Sequence, residues 1–238
     1  MIGKIISVLS VLFAGFMSLA TSIQAVDGKI IPIPVTQQIY MIAGEGGNIG
    51  IFTGRDGTFL IDDQFAPLTD KIVEAIKSVG GEYPKFLINT HYHGDHTGGN
   101  ENVRERLRTG SFIEAFNMKR PGVPPEGLPL VTFSEDISFH LNDNSVRAIH
   151  VPHVHTDGDS FIYFVGANVI HTGDLFFNGF YPFIDVNHGS SLKGIVIGAD
   201  KVLSLADDST KIIPGHGPLG DKEQLSNTVI CSVPPIIG

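Results

Sequence analysis

The 238-residue chain carries 16 Lys and Arg against 25 Asp and Glu, a formal charge of −9, and 42% of its residues are hydrophobic. That apolar share excludes disorder as the main state, and the acidic balance excludes a general affinity for nucleic acid, which needs clustered Lys and Arg. A single cysteine, Cys231, excludes an internal disulfide framework and a cysteine-rich zinc site.

The chain opens with a short basic start ending at Lys4, an uncharged apolar run over residues 5–20, and a small residue, Ala25, at a cleavage position. This pattern is that of a secretory signal peptide over residues 1–25. The run is short for a membrane-spanning helix, which takes about 20 residues. The expected product is a periplasmic or secreted domain over residues 26–238, with no stable membrane association after cleavage.

Residues 38–43, 48–53 and 58–62 read as short strands of a hairpin meander, separated by the Gly-rich stretches 44–47 and 54–57. Ile72, Val73, Ile76 and Val79 recur at helical spacing and predict a helix over 67–79. A buried strand is expected at 85–89, a short helix at 100–107 and a Pro/Gly-rich loop at 120–129. Residues 137–141, 146–151, 161–165 and 168–170 read as strands, and 192–205 as a helix capped by Ser190 or Ser191. A last strand falls at 211–213. Residues 221–229 can begin a closing helix, which 231–238, with Pro234 and Pro235, are not expected to continue. Strands, helix, strand, repeated once, suggest two similar halves with helices outside packed sheets.

The ten histidines decide the chemistry. The strand at 85–89 runs into Thr90-His91-Tyr92-His93-Gly94-Asp95-His96-Thr97-Gly98-Gly99-Asn100. Extended backbone places His91 and His93 on one side, and Gly94 lets the chain turn so that Asp95 and His96 face the same space. Nitrogen and oxygen ligands this close together at a strand end suit a borderline metal such as zinc.

That run resembles the HxHxDH signature of the metallo-β-lactamase superfamily of zinc hydrolases. Three further segments follow in that family's order: Val151-Pro152-His153-Val154-His155-Thr156-Asp157-Gly158-Asp159, then His171-Thr172-Gly173-Asp174, then Pro214-Gly215-His216-Gly217. The resemblance covers residues 38–217 and implies an α/β fold, the four-layer αββα sandwich, with two Zn2+ ions per chain at one edge. It implies that His91, His93 and His155 hold one ion, that Asp95, His96 and His216 hold the other, and that Asp174 bridges them. The activity implied is attack of a metal-bridging hydroxide on the carbonyl of a small-molecule lactam, lactone or thioester, with Asp95 as the catalytic residue that orients it and carries a proton.

His153 shares a face with His155, and the family pattern favours His155. His171 reads as a supporting or core residue, and His140 and His150 as structural. His188 lies in a loop and reads equally as a substrate contact or a surface residue. Phe176, Phe177, Tyr181 and their aromatic neighbours form either core packing or an apolar wall for substrate. At the third element the best-known β-lactamases of the family carry Cys, with a Lys three residues later; this chain has Asp174 and Phe177. The bridging Asp is similar to that of glyoxalase II and lactonase relatives, although the segment after His216 is short of the helical region with which glyoxalase II grips glutathione. A true β-lactamase and a non-catalytic metal-binding protein are the alternatives.

Overall fold

The computed structural model describes residues 29–106, 111–115 and 124–232. The expected leader and the part of the 120–129 loop before Pro124 lie outside the described residues. Among the described residues no helix is long and apolar enough to cross a membrane.

The first half is a seven-stranded sheet in sequential order. Strand β1 (Ile33–Pro34), which was not expected from the sequence, pairs with the antiparallel meander that the glycine spacing predicts, β2 (Ile39–Ile42), β3 (Ile49–Phe52) and β4 (Thr58–Ile61). A 3₁₀ turn and helix α1 (Thr69–Ser78) then cross to β5 (Pro84–Asn89), which lies parallel to β4. The short helices α2 (Gly94–Thr97) and α3 (Asn100–Arg106) precede the parallel strands β6 (Ser111–Ala115) and β7 (Val131–Phe133). The second sheet runs in the order β13-β12-β11-β10-β9-β8. It comprises β8 (Asp136–Leu141), β9 (Asn144–His150), β10 (Ser160–Phe164), β11 (Val169–Phe177), β12 (Lys211–His216) and β13 (Gly220–Asp221). Helix α4 (Leu192–Leu205) makes the crossover between the parallel neighbours β11 and β12, and α5 (Lys222–Ser232) closes the chain.

Alternation along the strands builds four layers. Ile39, Met41, Phe52, Phe59, Ile61 and Ile88 face inward from the first sheet and meet Val146, Ala148, Ile162, Phe164, Val169 and Ile213 of the second. Their neighbours Ile42, Ile51, Leu60 and Leu87 face outward onto Ile72 and Ile76 of α1. Ile149, Phe161, Ile170 and Ile212 likewise face outward onto Ile195, Ala199 and Val202 of α4. A period of two with both faces apolar is what a sheet covered on both sides requires. The architecture is the αββα sandwich.

Ser191, rather than Ser190, caps α4: its side chain accepts from Gly194 N at 2.9 Å. Two expectations are corrected. The strand expected to stop at 170 continues to Phe177, because Gly173, at φ 51°, absorbs a break in the pairing with β12 and the strand resumes beyond it. The closing helix continues past Val229 through Cys231 to Ser232. Pro234 constrains only the residue before it, so the helix has room to include both.

Phe164 packs edge-on against Phe52 across the sheets, ring centroids 5.3 Å apart, and both are fully buried. Phe164→Ala is expected to cost about 3–5 kcal/mol of folding stability, read as a lowered midpoint in urea denaturation at unchanged slope.

Candidate metal centre

The site is assembled where strands of both sheets end. Asp62 follows β4 with a positive φ of 60° and is fully buried. Its Oδ1 accepts from Thr90 N at 2.8 Å, and its Oδ2 accepts from Thr90 Oγ1 and His96 Nδ1, each at 2.8 Å. One carboxylate thus pins both the end of β5 and the histidine of α2. The turn after His93 is the one-turn helix α2, which carries Asp95 and His96. The hairpin turn before β3 lies directly on that helix. A Cβ at Gly47 would fall 2.1 Å from His96 Cε1, which is why glycine occupies this position.

His155 sits on the loop between β9 and β10. Asp159 shapes that loop, accepting from His155 N at 2.7 Å and from Thr156 N at 2.6 Å with Oδ2, and from Thr156 Oγ1 at 2.9 Å with Oδ1. Burial pushes the Asp159 carboxyl up to about 8, opposed by these donors and aided by the charge of Asp174. His153, at φ 63°, turns away and bonds Gly189 O at 2.8 Å, so the structure brings His155 and not His153 into the cluster. Asp174 follows the irregularity at Gly173, and His216 ends β12.

Seven side chains converge in two groups: His91, His93, His155 and Asp174, and Asp95, His96 and His216, with the ligating atoms of each group within 4.8 Å of one another. Asp174 faces both. Its Oδ2 lies 3.2 Å from His155 Nε2 and 3.8 Å from His91 Nε2; its Oδ1 lies 3.1 Å from His96 Nε2 and 3.5 Å from His216 Nε2.

The hydrogen bonds outside the cluster assign the ring tautomers. His93 Nε2 donates to Asp185 Oδ2 at 3.0 Å, and His155 Nδ1 donates to Phe183 O at 2.8 Å. The Thr90 hydroxyl gives its one proton to Asp62, so at 3.1 Å it accepts from His91 Nδ1. The inner nitrogens are then lone pairs facing one another: His93 Nδ1 lies 2.7 Å from His155 Nε2 and 3.1 Å from His91 Nε2. In the second group, His96 Nε2 and Asp174 Oδ1 are buried without a hydrogen-bond partner. Acceptors aimed at one another in a dry site repel unless a cation lies among them. Imidazole nitrogens and carboxylate oxygens, with the rings of His91, His93, His96 and His155 anchored from behind, fit a borderline divalent metal.

In the second group the carboxylates favour positive charge at the cluster. Burial would lower the His96 imidazole, but Asp174 and Asp62 outweigh it and hold it well above the usual range. His216 is raised to about 9 against burial by the neighbouring carboxylates of Asp174 and Asp95. Burial would raise Asp174, yet His96 and His91 hold it well below an ordinary carboxyl. Burial lowers His171 to about 4, and it bonds Asn48 O at 3.2 Å, a supporting rather than ligating position.

A family model, the metallo-beta-lactamase superfamily, matches residues 40–216. The chain belongs to that superfamily. It is similar to a beta-lactamase-like protein 2 homolog of Caenorhabditis elegans, at 26% identity over 191 residues, 74% of this chain and 61% of the other, so it spans less than two thirds of that relative. It is also similar to a probable hydroxyacylglutathione hydrolase of Schizosaccharomyces pombe, at 26% identity over 200 residues, 80% of this chain and 72% of the other. Among solved structures, a metallo-beta-lactamase from Pontibacter korlensis shares the fold at TM-score 0.72 and 19% identity, covering 86% of this chain and 99% of the other.

The aromatic residues of this superfamily member divide by strand alternation. Phe176 is fully buried among Ile170, Val202 and Leu225, so the expected substrate contact is corrected to core. Phe177 faces the site and stacks on His216, centroids 5.1 Å apart and planes 10° apart. Tyr181 is exposed. His188 is half-exposed and bonds Asp185 Oδ2 at 2.6 Å. The sequence did not single out Asp62, Asp159 or Asp185. Asp185 Oδ2 also accepts from Tyr92 OH at 2.7 Å, and its carboxyl lies far below the ordinary value, because these donors outweigh burial.

Asp62→Ala is expected to weaken metal affinity about 10–100-fold, measured by competition with a chromophoric chelator. Because protons compete at His96 and His216, wild-type affinity should rise with pH up to about 9, with proton release on binding that calorimetry in buffers of different ionisation enthalpy detects.

Proposed function

We propose that the protein is an exported hydrolase that binds two zinc ions per chain and cleaves an acyl bond, in a thioester, lactone or lactam, of a small-molecule substrate. The observation that carries the reading is the convergence of imidazole nitrogens and carboxylate oxygens on two adjacent points, with one Asp174 oxygen directed to each. Bound zinc ions would supply Lewis acidity, lowering the pKa of a water toward neutrality and polarising the carbonyl. Export rests on the leader pattern of residues 1–25.

The chain's own groups divide the remaining work. His91, His93 and His155 would hold one ion, Asp95, His96 and His216 the other, with Asp174 between them. Asp95 is partly exposed, and its Oδ2 lies 3.2 Å from His216 Nε2. Its carboxyl is held below the usual value because the His216 bond and the His96 charge outweigh burial, so it stays ionised and can orient an attacking water and accept its proton. The same carboxyl then delivers a proton to the departing sulfur, oxygen or nitrogen. Phe177, stacked on His216, excludes water from that side. A thioester substrate is favoured by a relative named as a hydroxyacylglutathione hydrolase.

The mature chain loaded with zinc should cleave members of a panel of thioesters and lactones, lose that activity to a chelator and regain it with zinc. Asp95→Asn should lower kcat about 10²–10⁴-fold. Faster turnover of a cephalosporin or carbapenem than of every ester would reassign the enzyme as a β-lactamase. Bound metal with no turnover of any acyl compound would leave a metal-binding protein and overturn the proposal.

A further inference from the structure

Between β11 and α4 the chain exposes an unusual run of large apolar side chains. Phe180 is 62% exposed, Tyr181 86%, Phe183 60% and Val186 68%. Such a patch on a soluble surface marks a contact with something apolar. This one is continuous with the metal centre: the Phe183 ring centroid lies 5.7 Å from that of His155 and 6.3 Å from that of His93.

The run is also held in place. Phe183 O accepts from His155 Nδ1, Asp185 N donates to His155 O at 3.3 Å, and Asp185 Oδ2 gathers Tyr92, His93 and His188. The Phe183 ring therefore stands on backbone fixed by the cluster itself, and its exposure is built in. On the hairpin turn at 44–47, Gly46 packs on the site with no side chain, since a Cβ there would lie 2.7 Å from Asp95 O and 3.1 Å from Phe65 Cε2. Phe65, also exposed, adds a second apolar edge beside Asp95.

We propose that Phe183, with Phe180 and Tyr181 beside it, is the recognition surface for an uncharged apolar acyl chain, so that the preferred substrates carry medium-length or longer aliphatic acyl groups. This rests on the reading of the site as an acyl hydrolase. The apolar chain lies along the aromatic run while its carbonyl reaches the cluster beside His155.

The test uses the zinc-loaded protein with two readouts: hydrolysis of S-acyl N-acetylcysteamine thioesters from acetyl to decanoyl, and calorimetric binding of butanoate and decanoate. kcat/KM should rise about tenfold or more from butanoyl to octanoyl, mainly through KM, because added methylenes are buried against the rings. Phe183→Ala, which keeps the backbone carbonyl that His155 needs, and Tyr181→Ala should flatten that rise, and Phe183→Leu should restore most of it. Decanoate should bind about tenfold more tightly than butanoate, and Phe183→Ala should erase the difference. A flat chain-length profile with hydrolysis intact overturns the proposal and leaves the hydrolase reading standing. Phe183-dependent decanoate binding without turnover of any acyl compound, thioester, lactone or lactam, supports the proposal and overturns the hydrolase reading alone. A flat profile together with Phe183-dependent sedimentation on phosphatidylcholine vesicles overturns it in favour of a membrane contact.

Discussion

Three imidazole nitrogens without protons face one another within about the length of a hydrogen bond, and much of the surrounding structure exists to keep them so. Each ring is tied from behind by an acceptor that takes its only proton: His93 by Asp185, His155 by the Phe183 carbonyl, and His91 by a Thr90 hydroxyl already committed to Asp62. Left alone, this arrangement repels itself, and proteins do not bury mutually opposed acceptors without compensation. A metal cation would supply it. The Asp174 carboxylate, with one oxygen toward each group, would let a second cation share the same negative charge. The folding of the site and its affinity for metal are therefore one free energy.

The sandwich contributes the scaffold for this repulsive core. Two sheets covered by helices leave their strand ends at a common edge, and the ligands leave from β5, β11 and β12 and from the loop before β10. Bonds between the halves set the distance. Ser160 N reaches Thr90 O at 2.8 Å and Asn48 N reaches Gly215 O at 2.7 Å, so ligands of both halves are registered through backbone as well as side chains. Asn48 adds Nδ2 bonds to the carbonyls of Pro214 and Gly217, which fix the turn carrying His216. The segment after β11 then has two roles on one backbone, its carbonyl and carboxylate holding the rings of His155 and His93 while its own aromatic rings remain exposed.

The ligands were legible in the sequence because metal chemistry concentrates them. His91, His93, Asp95 and His96 fall within six residues, and the remaining three occur in short Gly- and Asp-rich motifs in a fixed order. The meander, α1 and α4 were legible because their apolar period and glycine punctuation agree. What stayed hidden was what only tertiary contact creates. Asp62 reads as a loop acid until β4 and β5 pair and bring it to Thr90 and His96, 34 positions away. A signal was present, since consecutive acids after the apolar run of β4 demand buried partners. Phe176 and Phe177 read as one aromatic cluster because Gly173 looks like the end of a strand. Once the strand continues, alternation sends Phe176 to the helix layer and Phe177 to His216.

The most direct test of the opposed lone pairs is a zinc titration of the chelator-stripped protein followed by native mass spectrometry. Two zinc ions per folded chain, falling to one in His96→Ala, with a rise in thermal midpoint on loading, is the expected result. A stripped protein that binds no zinc at micromolar concentration and melts at the same temperature as before stripping would contradict it, because rings so arranged would then need some other source of stability.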